Sequence, residues 1–446
     1  MKKIRALFLL VLCGMIIAPL IEFNFEKECV SPIDNRMLTE WDMTTGDITG
    51  MADAYIKDRI GFRTESIDSY TELNDKLFGM MIHPSYTYGT EGYVFGGMSY
   101  ELPDEGFYDL FCAYLKKVQN YCEERNVPFL YCLNPSKVTV YEQYLPKGYS
   151  YQNKVNKIMK EKLEEYQIHY ISNEELLKEK SKTEQVYNIK FDAGHWNDLG
   201  AFYGSNHVLE SVQEEFPQVS LIEKDGFDIH TVVQTSLPVS HFEIYEEVPA
   251  FLDKNQENIE NISEAYGGIK LNENYHEFSY LVNHAVESEE LPRVLMFQGS
   301  YYNGRQQFLQ SAFREYITVH NYENFIDLDY YFNIFQPDYV ILESAEYATN
   351  GNYFSYWGLE TKELNPKLEI EEHEKEIQFL EEYSYEVEEQ GNLVTIRMNM
   401  DSLPKRGYLI VGNRQFDFSI NTEEETITCT VDKQYFADEN IKVLFQ

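Results

Sequence analysis

The chain has 446 residues, with 37 Lys and Arg against 75 Asp and Glu, a formal net charge of −38. A field of that sign repels nucleic acid and anionic membrane surfaces, so nucleic acid is excluded as a partner class, although local patches leave the sign of a small substrate open. The length suffices for one large core plus a small domain, and the 36 tyrosines suit wide contact surfaces or sugar stacking without proving either.

Lys2, Lys3 and Arg5 precede an apolar run from Ala6 to Ile21, closed by Glu22. That run would make about 24 Å of helix, slightly short of a ~30 Å hydrocarbon core. Residues 1–23 therefore read as a signal anchor or a signal peptide. No small-x-small cleavage pattern closes the run, and Leu12 is bulky where a lipoprotein signal before Cys13 needs a small residue. The reading adopted is an uncleaved single-pass anchor, basic end inside and the remainder extracytoplasmic, with secretion as the alternative.

Residues 24–100 read as an N-terminal lead-in, with a polar stretch at Asp58–Arg63, a helix-compatible stretch at Ser69–Phe78, and a turn and short strand across Tyr88–Gly97. Gly92, Gly96 and Gly97 suit turns better than a phosphate cradle. Leu110, Tyr114, Val118 and Tyr121 recur at helical spacing in 109–124, and Phe129–Leu133 is a compact strand stopped by Asn134-Pro135. A charged helix over 152–165, a strand over 167–171, a helix over Asp198–Phe216, a strand at Arg293–Phe297, a helix over 304–315 and strands at Ile317–His320 and Tyr339–Leu342 follow. Such alternation predicts an α/β core with a mostly parallel sheet. Ligands gather at the carboxyl ends of parallel strands, so the loops after Leu133, Phe297 and Leu342 are expected site walls.

Residues 217–290 interrupt the rhythm as an insertion or cap within a domain over 101–370. After an acidic stretch at 370–382, alternating apolar runs at 383–396, 406–419 and 425–445 predict a small antiparallel β-domain over 371–446. The six cysteines (Cys13, Cys29, Cys112, Cys122, Cys132 and Cys429) show no zinc-ribbon spacing. Cys112 and Cys122 lie about 15 Å apart along one helix, too far for a disulfide. Most read as small buried side chains, with one distant disulfide left open.

Two segments carry chemistry. In Asp192-Ala193-Gly194-His195, a carboxylate bonded to one imidazole nitrogen would orient the other toward an alcohol and favour the imidazolium. That spacing alone serves a structural or a catalytic role. Ser300 follows Gly299 just beyond a predicted strand, where a nucleophile projects from a tight turn beside backbone N–H groups able to hold an oxyanion. It does not match Gly-x-Ser-x-Gly, because Tyr302 occupies the last position. A turn or capping serine is the alternative. Trp196 and Tyr301 are candidates for sugar contact, Asn134 and Asn303 for oxyanion or substrate hydrogen bonds, and Lys137 for steering an acyl donor or glycan; each also suits core, turn or surface duty. Arg305 lies near Ser300 in sequence but is not counted as catalytic.

Together these segments resemble the alginate-acetyltransferase-like SGNH-hydrolase family and the related bacterial DHHW proteins. The resemblance covers most of residues 35–350. It rests on Asn35-Arg36, the Asp58–Arg63 run, Gly89–Phe95, Pro135–Tyr141 with Tyr144-Leu145-Pro146, the Asp192–Asn197 segment followed by Gly200-Ala201, the Gly299-Ser300 turn and Gln336–Ile341. It implies a permuted SGNH-like α/β core, a serine nucleophile at Ser300, a general acid/base at His195 and an orienting Asp192. It further implies O-acetylation of an envelope glycan, often beside a multispanning membrane O-acyltransferase, with carbohydrate contact by the C-terminal β-domain. The chemistry requires no metal or organic cofactor.

Two positions depart from the family pattern. Gln298-Gly299-Ser300 replaces the usual Gly-Asp-Ser, and Ala193 stands where close relatives carry an aspartate two residues before the histidine. Either the chemistry persists with altered loop geometry, as acyl transfer or as hydrolysis, or the domain binds glycan without turnover.

Overall fold

The computed structural model describes residues 2–446 except 28, 30, 32, 34–36, 42–46, 97–103, 150, 152–153, 239, 241 and 437–440. Asn35, Arg36 and Gly97, and the first two residues of the helix expected from 152, lie outside the described residues.

Helix α1 (Lys2–Ile21) carries a stretch over Lys3–Ile21 of mean hydropathy 2.5 with none of it buried against the protein. Its length and composition suit an anchor or a signal sequence. Its end is tied to the corner between α2 (Ile48–Arg59) and α3 (Arg63–Phe78): the Gly61 N–H donates to the Pro19 carbonyl at 2.9 Å, and the Asn24 N–H to the Arg59 carbonyl at 2.9 Å. The Asp58–Arg63 run is thus a joint, and two of its charged residues are buried. Asp58 accepts from the Thr39 N–H at 2.9 Å and hydroxyl at 2.6 Å, while Arg59 Nε donates to the Thr39 carbonyl at 3.1 Å. Helix α2 was not expected, because Gly50, Asp53 and Asp58 dilute its apolar periodicity. Next, β1 (Tyr86–Tyr88) pairs antiparallel with β2 (Val94–Gly96). Glu91 (φ 56°) and Gly92 (φ 83°) sit inside the turn closed by the Tyr93 N–H to Thr90 carbonyl bond, the two positive φ values a type I′ turn requires.

Helix α4 (Glu105–Glu124) begins at Asp104, whose carboxylate caps the Phe107 N–H at 3.1 Å. It buries Phe107, Phe111, Tyr114, Leu115, Val118 and Cys122 on one face, roughly 1.5–3 kcal/mol for each large side chain. The chain continues through β3 (Phe129–Asn134), α5 (Lys137–Val140), α6 (Lys154–Glu165), β4 (Tyr170–Ser172), α7 (Glu174–Lys180) and α8 (Asp198–Gln213). A hairpin of β5 (Phe227–Ser236) and β6 (Glu243–Asp253) precedes β7 (Ile259–Asn261), β8 (Phe278–Asn283), β9 (Arg293–Gln298), β10 (Glu315–His320), α9 (Leu328–Phe335), β11 (Tyr339–Ala345) and α10 (Tyr356–Thr361). The central sheet runs β4-β3-β11-β9-β10-β8-β7. The first five strands are parallel, and β8 and β7 add an antiparallel edge. Every residue of β3, β10 and β11 is buried, as a sheet covered on both faces requires.

Two expectations change. Of the described strands in the 217–290 interruption, β5 and β6 pair with each other apart from the central sheet, whereas β7 and β8 join its edge. The helix expected over 304–315 is absent: Gly304 has φ 70°, and two 3₁₀ turns, Gln306–Phe308 and Gln310–Ala312, follow. Asp253 of the hairpin accepts from Gln310 Nε2 at 3.1 Å and the Ser311 hydroxyl at 2.6 Å, tertiary bonds that override the helical spacing.

The C-terminal strands are β12 (Gln378–Phe379), β13 (Glu386–Gln390), β14 (Leu393–Asn399), β15 (Gly407–Val411), β16 (Arg414–Asp417), β17 (Ser419–Asn421), β18 (Thr426–Asp432) and β19 (Ile441–Phe445). They form two antiparallel four-stranded sheets, β12-β19-β15-β16 and β13-β14-β18-β17, around an apolar core that includes Ile396, Leu409, Phe416, Ile427 and Val431. The unit is docked on α9 by a reciprocal pair: Asn333 Nδ2 donates to the Asp417 carbonyl at 2.8 Å, and the Asp417 N–H to Asn333 Oδ1 at 2.9 Å. Cys112, Cys122, Cys132 and Cys429 are buried, and among the described residues no disulfide joins any two cysteines.

Candidate active site

The carboxyl ends of β3, β9 and β11 converge with the loop preceding α8. Ser300 leaves β9 through Gly299. His195 arrives from the other side on a turn that begins at Asp192 (φ 51°), a left-handed conformation Asp tolerates better than most residues. That turn folds the carboxylate back: Asp192 Oδ1 accepts from the His195 N–H at 3.1 Å and lies 2.6 Å from His195 Nδ1. His195 Nε2 is 2.9 Å from Ser300 Oγ. Three side chains thus line up from carboxylate through imidazole to hydroxyl. Desolvation of the Asp192 carboxyl opposes its ionisation, but the His195 charge, two hydrogen bonds from His195 and the Arg305 guanidinium outweigh it and hold its pKa at about 2. An ionised Asp192 fixes the tautomer with hydrogen on Nδ1 and leaves Nε2 to accept the serine proton.

A fourth group was not anticipated. The Tyr347 hydroxyl lies 3.0 Å from Ser300 Oγ and 2.9 Å from His195 Nε2, closing a triangle. Tyr347 is 38% exposed overall, yet its hydroxyl end is sheltered, and that desolvation raises its pKa and keeps the phenol neutral. It comes from the turn Glu346–Ala348 just past β11. The loop after Leu342 was an expected wall, but nothing in its sequence distinguishes the inward Tyr347 from its neighbours.

Beneath Ser300 lies a buried polar web. Glu343 Oε2 accepts from the Gly299 N–H at 2.6 Å, and Oε1 from Asn134 Nδ2 at 2.8 Å. Asn134 Oδ1 accepts from Asn173 Nδ2 at 2.7 Å, and Asn173 Oδ1 is 2.7 Å from His207 Nδ1. Desolvation pushes the Glu343 carboxyl up to about 7, against the opposing hydrogen bonds from Gly299 and Asn134. The same web accounts for the missing aspartate before Ser300. A Cβ at Gly299 would come within 3.1 Å of Asn321 Nδ2 and 3.3 Å of Glu343 Oε2, so the position has little room for a side chain. The Gly299 N–H is committed to Glu343; the Ser300 N–H donates to no protein acceptor among the described residues and faces no such competition.

The remaining candidates are corrected by burial. Trp196 is fully buried, its Nε1–H donating to the Tyr301 carbonyl at 2.8 Å, with its ring edge-on to those of Tyr301 and Tyr302. Tyr301 is fully buried too, its hydroxyl donating to the carbonyls of Pro135 at 2.7 Å and Gly194 at 3.0 Å. Neither ring offers a face to a sugar; both brace the loops that carry His195 and Ser300. Asn134 belongs to the floor, its amide consumed by Glu343 and Asn173. Asn303 accepts from Gln298 Nε2 at 3.3 Å at the rim of the turn. Lys137 is buried, donating to the carbonyls of Val94 at 2.7 Å and Ile189 at 2.9 Å, so it steers nothing from the surface. Arg305 donates to the Trp196 carbonyl at 3.1 Å and stands 3.4 Å from Asp198, behind the histidine.

One family model and several solved structures are similar to parts of the chain. The family model for the SGNH hydrolase-like domain of the acetyltransferase AlgX matches residues 103–261, a span that includes Asp192 and His195 and ends before Ser300. No curated protein matches the chain. Among solved structures, Bacillus cereus PatB1 is similar at 13% identity and a TM-score of 0.48, over 61% of this chain and 99% of that one. A DHHW family protein from Eubacterium siraeum is similar at 13% identity and 0.46, over 64% and 98%. The O-acetyltransferase domain of Pseudomonas putida AlgJ is similar at 13% identity and 0.42, over 63% and 99%.

Proposed function

Because the chain carries an SGNH-hydrolase-like domain related to that of the acetyltransferase AlgX, we propose that it is a serine-dependent O-acyltransferase of an extracytoplasmic envelope polysaccharide. The observation that carries this reading is the continuous contact from Asp192 through His195 to Ser300, with Tyr347 closing the far side. In the first half-reaction His195 Nε2 takes the proton of Ser300 as Oγ attacks the carbonyl carbon of an acyl donor, and the imidazolium is stabilised by Asp192. The Ser300 N–H and the Tyr347 hydroxyl, which a small rotation turns away from Oγ, stabilise the developing oxyanion. Collapse breaks the bond to the leaving alcohol, which takes the proton from His195, and leaves Ser300 acylated. In the second half-reaction His195 takes the proton of a glycan hydroxyl as that oxygen attacks the acyl carbon; collapse breaks the ester bond to Ser300, whose Oγ takes the proton back from His195. Water in place of the glycan gives hydrolysis.

In this reading α1 remains as the anchor, the domain faces outward, and a multispanning membrane O-acyltransferase delivers the acyl group; secretion is the alternative should α1 be cleaved. The glycan-binding reading without turnover, left open by the Gln298-Gly299 and Ala193 departures, is disfavoured because His195 Nε2 lies 2.9 Å from Ser300 Oγ and because Trp196 and Tyr301, which it would use to hold a sugar, are internal.

The test follows an isotopically labelled acetyl group from donor to glycan fragments by mass spectrometry, in membranes containing the partner, with wild type and Ser300→Ala. Transfer by wild type and a loss beyond about 100-fold in the variant, equivalent to ~2.7 kcal/mol of transition-state stabilisation, supports the reading. Equal transfer by the two proteins, each shown to be folded, rejects Ser300 as the nucleophile.

A further inference from the structure

The loop that delivers Asp192 and His195 has no regular secondary structure between Lys180 and Asp198. A loop of that length keeps sub-ångström geometry only if its backbone polar groups are satisfied in one arrangement. Three successive amides just before Asp192 find the same acceptor: the N–H groups of Ile189, Lys190 and Phe191 all donate to the Glu246 carboxylate, the last two to Oε2 at 2.8 and 2.6 Å. Glu246 lies on β6 of the hairpin, over fifty residues away in the chain. From the opposite side, the Ile189 carbonyl accepts from the Val94 N–H at 2.8 Å and Lys137 Nζ at 2.9 Å. The segment is thus gripped on donors and acceptors alike, and the grip ends one residue before the left-handed Asp192.

We infer that Glu246 is a positioning residue for the acyl-transfer site, its carboxylate holding the 189–191 backbone so that Asp192 and His195 meet Ser300 in register. The inserted hairpin thereby becomes part of the catalytic architecture without contacting the reacting atoms. A carboxylate is suited to this task because its two oxygens offer lone pairs to several donors at once and its charge strengthens each bond. Glutamine keeps one carbonyl oxygen and replaces the other with a donor that would face the amides. Aspartate keeps both oxygens on a side chain one methylene shorter.

The inference rests on Ser300 being the nucleophile, and the experiment separates the two ideas. Purified wild type, E246Q, E246D and E246A are treated with phenylmethylsulfonyl fluoride, and the rate of Ser300 modification is read by intact and peptide mass across pH 5 to 9. Amide hydrogen exchange is followed over residues 186–196. The expected result is a ten-fold or greater fall in the labelling rate for E246A, a smaller fall for E246Q and partial recovery in E246D. Faster exchange should be confined to 189–195, and the rate–pH profile should be displaced because the Asp192–His195 contact has loosened. Wild-type labelling rates and unchanged exchange in E246Q would overturn the inference while leaving the serine nucleophile standing. Absence of labelling in wild type would sink the nucleophile; the exchange data then judge the grip alone, and unchanged protection of 189–191 in E246Q would overturn that too. Should E246A fail to fold, E246Q and E246D carry the decision by the same two readouts.

Discussion

The floor beneath Ser300 and the interior of the C-terminal sandwich are both fully buried, yet they are built from opposite materials. The sandwich closes on Ile396, Leu409, Phe416, Ile427 and Val431. The floor is made of Glu343, Asn134, Asn173 and Asn321, whose polar atoms largely satisfy one another. Burying an apolar residue is favourable wherever it fits, whereas burying a carboxylate costs several kcal/mol unless its hydrogen bonds are made. The difference teaches where geometry is being specified: directional bonds hold the nucleophile turn in one arrangement, and non-directional packing holds the appended unit together. The boundary between them mixes both. There the Asp417 carboxylate, on the sandwich, accepts from the Tyr121 hydroxyl at 2.7 Å and from Arg125 at 3.2 Å, on α4 of the core.

The largest expected effect lies at the line from Asp192 through His195 to Ser300. His195→Ala should lower acyl transfer by about 10²–10⁴-fold, the range for loss of a general acid/base, while thermal unfolding stays close to wild type. An equally active variant would show that His195 is not the general acid/base for Ser300. Ile427→Ala in the sandwich should do the reverse, lowering stability by about 2–5 kcal/mol in a denaturant titration with labelling of Ser300 per folded molecule unchanged. A parallel loss of labelling at full folding would reveal that the two interiors are one mechanical unit.

Tyr347→Phe removes one hydroxyl from the triangle and should slow Ser300 acylation by about ten-fold, or ~1.4 kcal/mol, with little change in melting temperature. Steady-state hydrolysis of a p-nitrophenyl ester, split into kcat and KM, reads this directly, with kcat falling. The smallest effect is a change of slope. Glu343 has its pKa raised from 4.5 to about 7 by burial, so over that window the folded protein holds a proton the unfolded chain has released. Its contribution to stability is full below pH 4.5 and is lost as pH rises through 7. Glu343→Gln should flatten melting temperature against pH over that interval. Asp417, raised to about 6 by desolvation, leaves a residual slope of the same sign. An unchanged slope in E343Q would assign the titration to the other carboxyls raised by burial, Asp417, Glu346 and Glu323.

Several features were legible in the sequence because they depend on neighbours along the chain. The apolar run of α1, the periodicity of α4, the strands leading to Asn134 and Ser300, and the two-residue alternation of the C-terminal strands all follow from local rules of spacing and propensity. The Asp192–His195 contact is equally local, three residues within one turn. Other features were decided only by tertiary structure. Trp196, Tyr301 and Lys137 look like ligand-facing residues until the chain folds over them, since amphipathic side chains are chemically suited to both settings. The 304–315 segment has helical spacing, but hydrogen bonds to Asp253, more than fifty residues away, hold it as 3₁₀ turns. Tyr347, Glu343 and Glu246 carry no motif, because their roles come from what β11 and the hairpin bring beside Ser300 and Asp192. A hydrogen bond is a short-range, directional interaction; two residues a hundred positions apart acquire one only when the sheet order sets their strand ends side by side, and no local pattern encodes that distance.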